Sequence, residues 1–170
     1  AGLFSSAAKL VSAVSRFGFM LNQVVFPEVL ATAANLGSEK LTRLINRTSI
    51  LALLAMCMVA ATISFFGSQI IRLAVGADFV GAAPIFGILL FAECIIVAGT
   101  HLNPLIQSGS GTRPLVLINF SALLLMVGAS FVLLNLIGAV GVALAVLAAN
   151  LATWLAMFVV VHQLFGVRTK

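Results

Sequence analysis

The sequence predicts an all-α, polytopic membrane protein in which about five transmembrane spans form one domain over residues 1–170. Of its 170 residues, 62% are hydrophobic and 8% are charged, whereas soluble domains average about 45–50% apolar and about 25% charged residues. The apolar runs are long and unbroken, which excludes a membrane β-barrel with its alternating pattern. At roughly 20 residues per span, a chain of this length holds about five or six spans joined by short loops.

The predicted first span covers residues 2–26 and continues beyond Pro27 to residue 35. Proline lacks an amide hydrogen, so Pro27 is expected to kink this helix. A short polar segment follows at 37–47, where Ser38 suits a helix N-cap and apolar residues recur at helical spacing. This segment is predicted to form a small amphipathic helix on the cytoplasmic surface of the membrane.

Four further spans follow, separated by segments rich in turn-forming residues. Residues 107–114 contain two glycines and a proline, and residues 138–141 begin and end with glycine. Residues 76–81 form a third connection. The predicted spans cover 49–75, 82–106, 115–137 and 142–165.

The basic residues divide unevenly between the two sides of this five-span arrangement. Arg72 falls on one side, and the other side carries Lys40, Arg43, Arg47, Arg113, Arg168 and Lys170. Cytoplasmic loops are enriched in lysine and arginine, so the sequence predicts a multi-pass protein of the cytoplasmic (inner) membrane with a cytoplasmic C-terminus. The chain begins within an apolar pattern and without methionine, so we expect it to be the C-terminal part of a longer protein.

The first span carries a stripe of polar residues that includes two cations. Lys9 and Arg16 are seven residues apart, which is about 20° short of two helical turns. Ser5, Ser12 and Gln23 fall on the same face, within an arc of about 60°. A narrow polar stripe on an apolar span is expected to face a protein interior or an aqueous cavity.

Each of the two cations has more than one interpretation. Lys9 either extends to the outer membrane interface or faces the cavity. Arg16 extends to the interface, pairs with Glu93, or binds an anionic substrate, because its planar guanidinium can make two hydrogen bonds to a phosphate. Binding of an anion by Arg16 would make the stripe a substrate-binding site.

The third predicted span also carries polar residues, among them Glu93 and His101. Glu93 either couples transport to an ion, as a titrating carboxyl or a cation ligand, or serves as a structural carboxyl. His101 is either a proton relay or a hydrogen-bonded structural histidine. Elsewhere, three asparagines within spans are expected to form hydrogen bonds between helices; they are Asn119, Asn135 and Asn150.

The sequence argues against an enzyme and against nucleic-acid binding. No nucleophile and base at catalytic spacing, no phosphate-binding glycine loop and no metal-ligand spacing are visible, so no cofactor or metal is expected. Cys57 and Cys94 lie inside predicted spans and are expected to be buried free thiols. The chain has one tryptophan and no tyrosine, so it offers no platform for stacking nucleic-acid bases.

Four segments in register resemble the polysaccharide flippases. Residues 26–44 begin with Phe-Pro and lead into a charged amphipathic segment, and residues 76–84 resemble a Gly-x-x-Phe-x-x-Ala-x-Pro external segment. Asn103-Pro104, followed by 107–113, is similar to the next cytoplasmic turn of the family, and 138–145 is similar to its Gly-x-x-Gly-Ala-Ala-x-Ala span start. The family comprises the lipid-linked oligosaccharide flippases of the multidrug/oligosaccharidyl-lipid/polysaccharide exporter superfamily.

This resemblance implies a fold and a function. The chain would match most of the C-terminal lobe of a two-lobe transporter, and its partners would be the N-terminal lobe of the same protein, the lipid bilayer and polysaccharide polymerase or glycosyltransferase machinery. The implied substrate is an undecaprenyl-pyrophosphate-linked oligosaccharide moved across the membrane for cell-surface polysaccharide synthesis. The alternatives are a multidrug or small-molecule antiporter of the same superfamily and a structural membrane subunit.

Overall fold

The structure is a computed structural model, and it describes residues 9, 11, 12, 16, 38–74 and 76–166. These residues are helical apart from short turns, and the described part contains no strand. The predicted first span and Pro27 lie almost wholly outside it. The α-helices are α1 (Ser38–Phe65), α2 (Gly67–Ala74), α3 (Ala83–Gly99), α4 (Leu102–Ser110), α5 (Arg113–Ile137) and α6 (Ala139–Gly166), with a 3₁₀ helix at Ala77–Ala82 before α3.

Within the described residues, four helical segments are long and apolar enough to cross a membrane. They are Asn46–Phe65, Ala77–Gly99, Arg113–Ile137 and Ala139–Leu164, with mean hydropathies of 2.1 to 2.3. The prediction of an all-α fold compatible with a multi-pass membrane protein is therefore confirmed.

Helix boundaries differ from the prediction in three places. The predicted second span, 49–75, is divided at Phe66, where α1 ends and α2 begins. The segment expected to be a separate surface helix is continuous with the next span, because α1 runs unbroken from Ser38 to Phe65 and this stretch contains no glycine or proline. The predicted third span, 82–106, is divided at Thr100–His101. Pro104 has no amide hydrogen to offer the carbonyl of Thr100, and that carbonyl accepts a hydrogen bond from the Asn103 amide at 3.3 Å instead.

Side-chain contacts at two levels show that α1 and α3 run antiparallel. Ser49, near the start of α1, lies 2.7 Å from His101, just beyond the end of α3. At the opposite end, a Cβ placed on Gly87 would lie 3.6 Å from the Cβ of Ser64. The two helices therefore pack along most of their length.

Helix α6 packs between α3 and α5. It runs parallel to α3, since Asn150 bonds to Ala92 and Trp154 contacts Gly99 further along both helices. A tight turn at Gly138, whose φ is +65°, joins α5 to α6 as an antiparallel hairpin. The starts of α1 and α5 consequently lie at the same end of the bundle, which places Arg43, Arg47 and Arg113 together at that end.

The core consists of two apolar clusters at opposite ends of the bundle. One cluster joins α1, α2 and α3 and includes the fully buried Ile71, Phe86 and Leu90. The other joins α4, α5 and α6 and includes Leu102 and Ile106. The outward faces of α1 and α5 expose many large apolar side chains, as expected for helices in contact with lipid.

Candidate functional site

The described part of the cationic stripe lies on the outward side of a helical segment. Lys9, Ser12 and Arg16 are helical and exposed, whereas Val11 is 3% exposed and packs in the core with α1 and α3. The hydroxyl of Ser12 donates a hydrogen bond to the Lys9 carbonyl at 2.8 Å. Ser5 and Gln23, the other predicted members, lie outside the described residues.

Because Val11 is buried, the orientation of the cationic side chains is fixed relative to the bundle. Residues 9, 12 and 16 lie at i, i+3 and i+7 and share one helical face, while residue 11 lies about 200° from residue 9. The face that carries Lys9 and Arg16 therefore points away from the packed helices.

Glu93, the first ion-coupling candidate, lies on α3. Its side chain is half-buried and follows directly before the buried Cys94 in the sequence. His101 follows eight residues later, which is about 12 Å along a helix axis. The two candidates therefore occupy different levels of the bundle, and the pairing of Glu93 with Arg16 stays a prediction.

His101 forms a contact between helices. Its Nε2 lies 2.7 Å from the hydroxyl of Ser49, which is fully buried. His101 lies beyond the Ala77–Gly99 span, and burial lowers the pKa of its imidazole, while a hydrogen bond with the backbone of Ala98 opposes this effect. The contact with Ser49 joins two elements of the bundle, and the choice between a structural histidine and a proton relay stays a prediction.

A small cavity lies between α3, α4, α5 and α6, at the level of the break between α3 and α4. Its volume is about 120 Å³. Asn103 and Asn119 lie on its wall beside Trp154, whose side chain is 8% exposed. The indole Nε1 of Trp154 is buried and has no hydrogen-bond partner among the described residues. This cavity combines polar groups from three parts of the sequence.

Trp154 begins an aromatic stack along α6. Its ring stacks on Phe158 at a centroid distance of 5.4 Å, and Phe158 stacks on His162 at 5.8 Å. On the other side the indole contacts Gly99, where an added Cβ would lie 2.9 Å from Cδ1. The indole is therefore held between its own helix and the backbone of α3.

The asparagines within spans behave in different ways. Asn150 donates a hydrogen bond to the Ala92 carbonyl of α3 at 2.9 Å, which confirms its predicted role between helices. The prediction is wrong for Asn135, because its side-chain amide donates a hydrogen bond to the Phe131 carbonyl of its own helix at 3.0 Å. Asn119 is exposed and lines the cavity.

The two cysteines are free thiols, as predicted. The predicted burial is confirmed for Cys94 and is wrong for Cys57, which is half-buried. Among the described residues, no cluster of three or more histidine, cysteine, aspartate or glutamate side chains is placed to hold a metal ion.

The predicted site residues do not form one cluster. Lys9, Ser12 and Arg16 share a helical face, Glu93 lies within α3, and His101 lies just beyond the end of α3. Sequence reasoning missed the cavity and Trp154, because a lone tryptophan in an apolar run carries no local sign of its environment. The chain matches no protein-family model, no curated protein and no solved structure.

Proposed function

We propose that the chain is part of a membrane transporter of the flippase type, whose substrate is an undecaprenyl-pyrophosphate-linked oligosaccharide. In this proposal the substrate crosses the cytoplasmic membrane between the cationic face and a second lobe. The two lobes rock against each other to give alternating access. The support comes from the resemblance of four segments to the flippase family and from the position of the cations.

The observation that carries the proposal is the outward position of Lys9 and Arg16 beside the buried Val11. A cation on an apolar span costs about 2.5–3.5 kcal/mol at mid-membrane on insertion scales, so such residues face water or a partner rather than lipid. A cationic face turned away from its own bundle therefore calls for a polar partner on the other side.

A diphosphate suits this face chemically. Its oxygens are charged acceptors, and hydrogen bonds to charged groups contribute about 1.5–3 kcal/mol each. Arg16 can bind two oxygens with its planar guanidinium, and Lys9 supplies a second charge about 10 Å away along the helix. The outer surfaces of α1 and α5 are apolar. In this proposal the polyprenyl chain of the substrate stays in the bilayer beside these surfaces.

The test is a flipping assay on the purified full protein reconstituted in liposomes. A fluorescent undecaprenyl-pyrophosphate glycan is supplied, and the fraction that crosses the bilayer is measured with an impermeant quencher. Arg16→Ala is expected to lower the rate about ten- to a hundredfold, because the hydrogen bonds from the guanidinium to the diphosphate are lost. Arg72→Ala is the matched control, because Arg72 is an exposed cation on α2 and lies outside the stripe.

Arg16→Lys separates the two ways in which the arginine can act. A rate near that of the unchanged protein means that charge is sufficient, and a rate near that of Arg16→Ala means that the planar fork is required. Equal flipping by the unchanged protein, Arg16→Ala and Arg72→Ala would refute the proposal. Monodisperse elution of each variant in detergent excludes a folding defect as the cause of a lower rate.

A further inference from the structure

The outward side of α1 changes from apolar to basic along a single helical face. Leu51, Leu54 and Met58 recur at spacings of three and four residues, and more than half of each side chain is exposed. Arg43 and Arg47 continue this face at spacings of four residues towards the start of the helix, and both are exposed. Because α1 is one unbroken helix, the two arginines lie in line with the apolar row.

Two buried residues show that this face points away from the packed helices. Ser49 is fully buried and lies 2.7 Å from His101, and Arg47 is two residues away from it, about 200° around the helix. Ala60 is fully buried in the core and has the same relation to Met58. The arginines and the apolar row are therefore accessible from outside the described bundle.

The two arginines lie at the level of the lipid headgroups. The span Asn46–Phe65 has 20 residues, which is about 30 Å and matches the hydrocarbon core of a bilayer. Arg47 is the second residue of this span, and Arg43 lies three residues before it, about 4.5 Å beyond the hydrocarbon edge. The headgroup layer on each side is roughly 5–7 Å thick, so both guanidinium groups can reach it.

This end of α1 is positively charged. Residues 38–50 contain three basic side chains, Lys40, Arg43 and Arg47, and one acidic side chain, Glu39. A guanidinium can make two parallel hydrogen bonds to a phosphate, and basic residues beside a span attract anionic lipids. A phosphatidylcholine headgroup offsets its phosphate with its own cation, so the charge of this face favours an anionic phospholipid.

From these observations we propose that the outward face of α1 binds an anionic glycerophospholipid, whose phosphate is held by Arg47 and Arg43. The acyl chain of the same lipid packs on the row of Leu51, Leu54 and Met58. The occupant belongs to the leaflet at this end of the bundle. The site is independent of the transport proposal, because none of these residues belongs to the cationic face of the first span.

The test measures which phospholipid occupies this face. In a background without the native cysteines, Leu54→Cys carries a fluorescent label, and the full protein is reconstituted in phosphatidylcholine liposomes. Phosphatidylglycerol or phosphatidylcholine that is brominated midway along one chain is added in increasing fractions, and the bromine quenches the label on contact. We expect quenching to show a preference of about five- to thirtyfold for phosphatidylglycerol, the range for one or two arginines near the surface. This preference should fall at high salt, because the arginines are exposed.

Two sets of substitutions locate the preference. Arg43→Gln combined with Arg47→Gln removes both charges and is expected to abolish it. Arg72→Gln is the matched control, because Arg72 is an exposed arginine on α2, beyond the far end of α1, and it is expected to keep the preference. All three arginines are exposed, so these substitutions leave the packing of the bundle unchanged. Monodisperse elution checks that each variant is folded.

Three results would overturn the proposal. Equal quenching by the two brominated lipids with both arginines present is the first, and a preference that survives in the double variant is the second. A label that neither lipid quenches is the third, because a protein surface would then cover the face. A competition arm separates a phospholipid from the transport substrate: if an undecaprenyl-pyrophosphate glycan displaces brominated phosphatidylglycerol at lower concentration than unbrominated phosphatidylglycerol does, the face belongs to that substrate and the proposal is wrong.

Discussion

Three glycines in helices have different amounts of space beside them, and this difference predicts a graded response to one substitution. A Cβ added at Gly128 meets no atom within 4 Å, and one added at Gly99 lies 2.9 Å from Trp154 Cδ1. One added at Gly141 overlaps the backbone carbonyl of Leu133. Alanine should therefore be accepted at Gly128, strained at Gly99 and rejected at Gly141.

The magnitudes follow from what must move. Gly128→Ala gains up to ~1 kcal/mol of helix propensity with no steric cost. At Gly99 the indole must shift by about 0.5 Å or more to reach ordinary contact, and overpacking of that kind costs about 1–3 kcal/mol against the same gain. At Gly141 the contact is with backbone, so α5 and α6 must separate, and we expect a loss of about 3 kcal/mol or more.

These changes are measurable as unfolding midpoints in detergent, because about 2–4 °C corresponds to each kcal/mol in a chain of this size. Emission from Trp154, the one tryptophan in a chain without tyrosine, reports unfolding directly. Gly99→Ala should lower the midpoint by up to about 8 °C and alter the emission of the folded state, and Gly141→Ala should lower it further. If Gly141→Ala melts within about 1 °C of Gly128→Ala, the close packing of the α5–α6 hairpin is refuted.

Three other predictions test single contacts. Burial lowers the pKa of His101 below its ordinary 6.5, so the folded state favours the neutral imidazole. The melting midpoint should be constant above about pH 6.5 and fall as the pH drops below it. The midpoint of His101→Gln should depend less on pH, and the same pH dependence in both proteins would contradict this. Asn150→Leu removes a hydrogen bond between helices and should lower the melting midpoint by about 1–3 °C, whereas an unchanged midpoint would mean that the bond contributes nothing. Cysteines at Ser64 and Gly87, whose Cβ atoms would lie 3.6 Å apart, should form a disulfide on oxidation in a background without the native cysteines; loss of maleimide labelling measures this, and a Ser64 and Gly128 cysteine pair should stay labelled.

Much of the fold was predictable because it depends on local properties of the chain. Hydrophobic length and composition are sufficient to identify spans, and the turn at Gly138 was visible as a glycine-rich connection between apolar runs. The boundaries that differ depend on individual backbone groups. The break at Thr100–His101 arises from the missing amide of Pro104, and the continuity of α1 through Arg47 arises because a change in polarity alone does not end a helix.

The candidate sites also differ in whether they depend on one segment or on contacts between segments. The shared face of Lys9, Ser12 and Arg16 follows from helical periodicity, which is a property of one segment. The cavity beside Trp154 depends on which helices become neighbours, and Asn103 and Asn119 carry no sequence feature that assigns them to the same wall. Such contacts between distant segments cannot be derived from hydropathy or spacing.

Polar groups in a membrane bundle can be assigned to structure or to function by where their hydrogen bonds lead. Ser49 with His101, and Asn150 with Ala92, are bonded between helices of this bundle and therefore stabilise its packing. Lys9 and Arg16 face away from the described helices, and the cost of a cation in lipid favours a polar group opposite them. Under the proposed function, variants of these two cations should change transport, and variants within the bonded pairs should change stability.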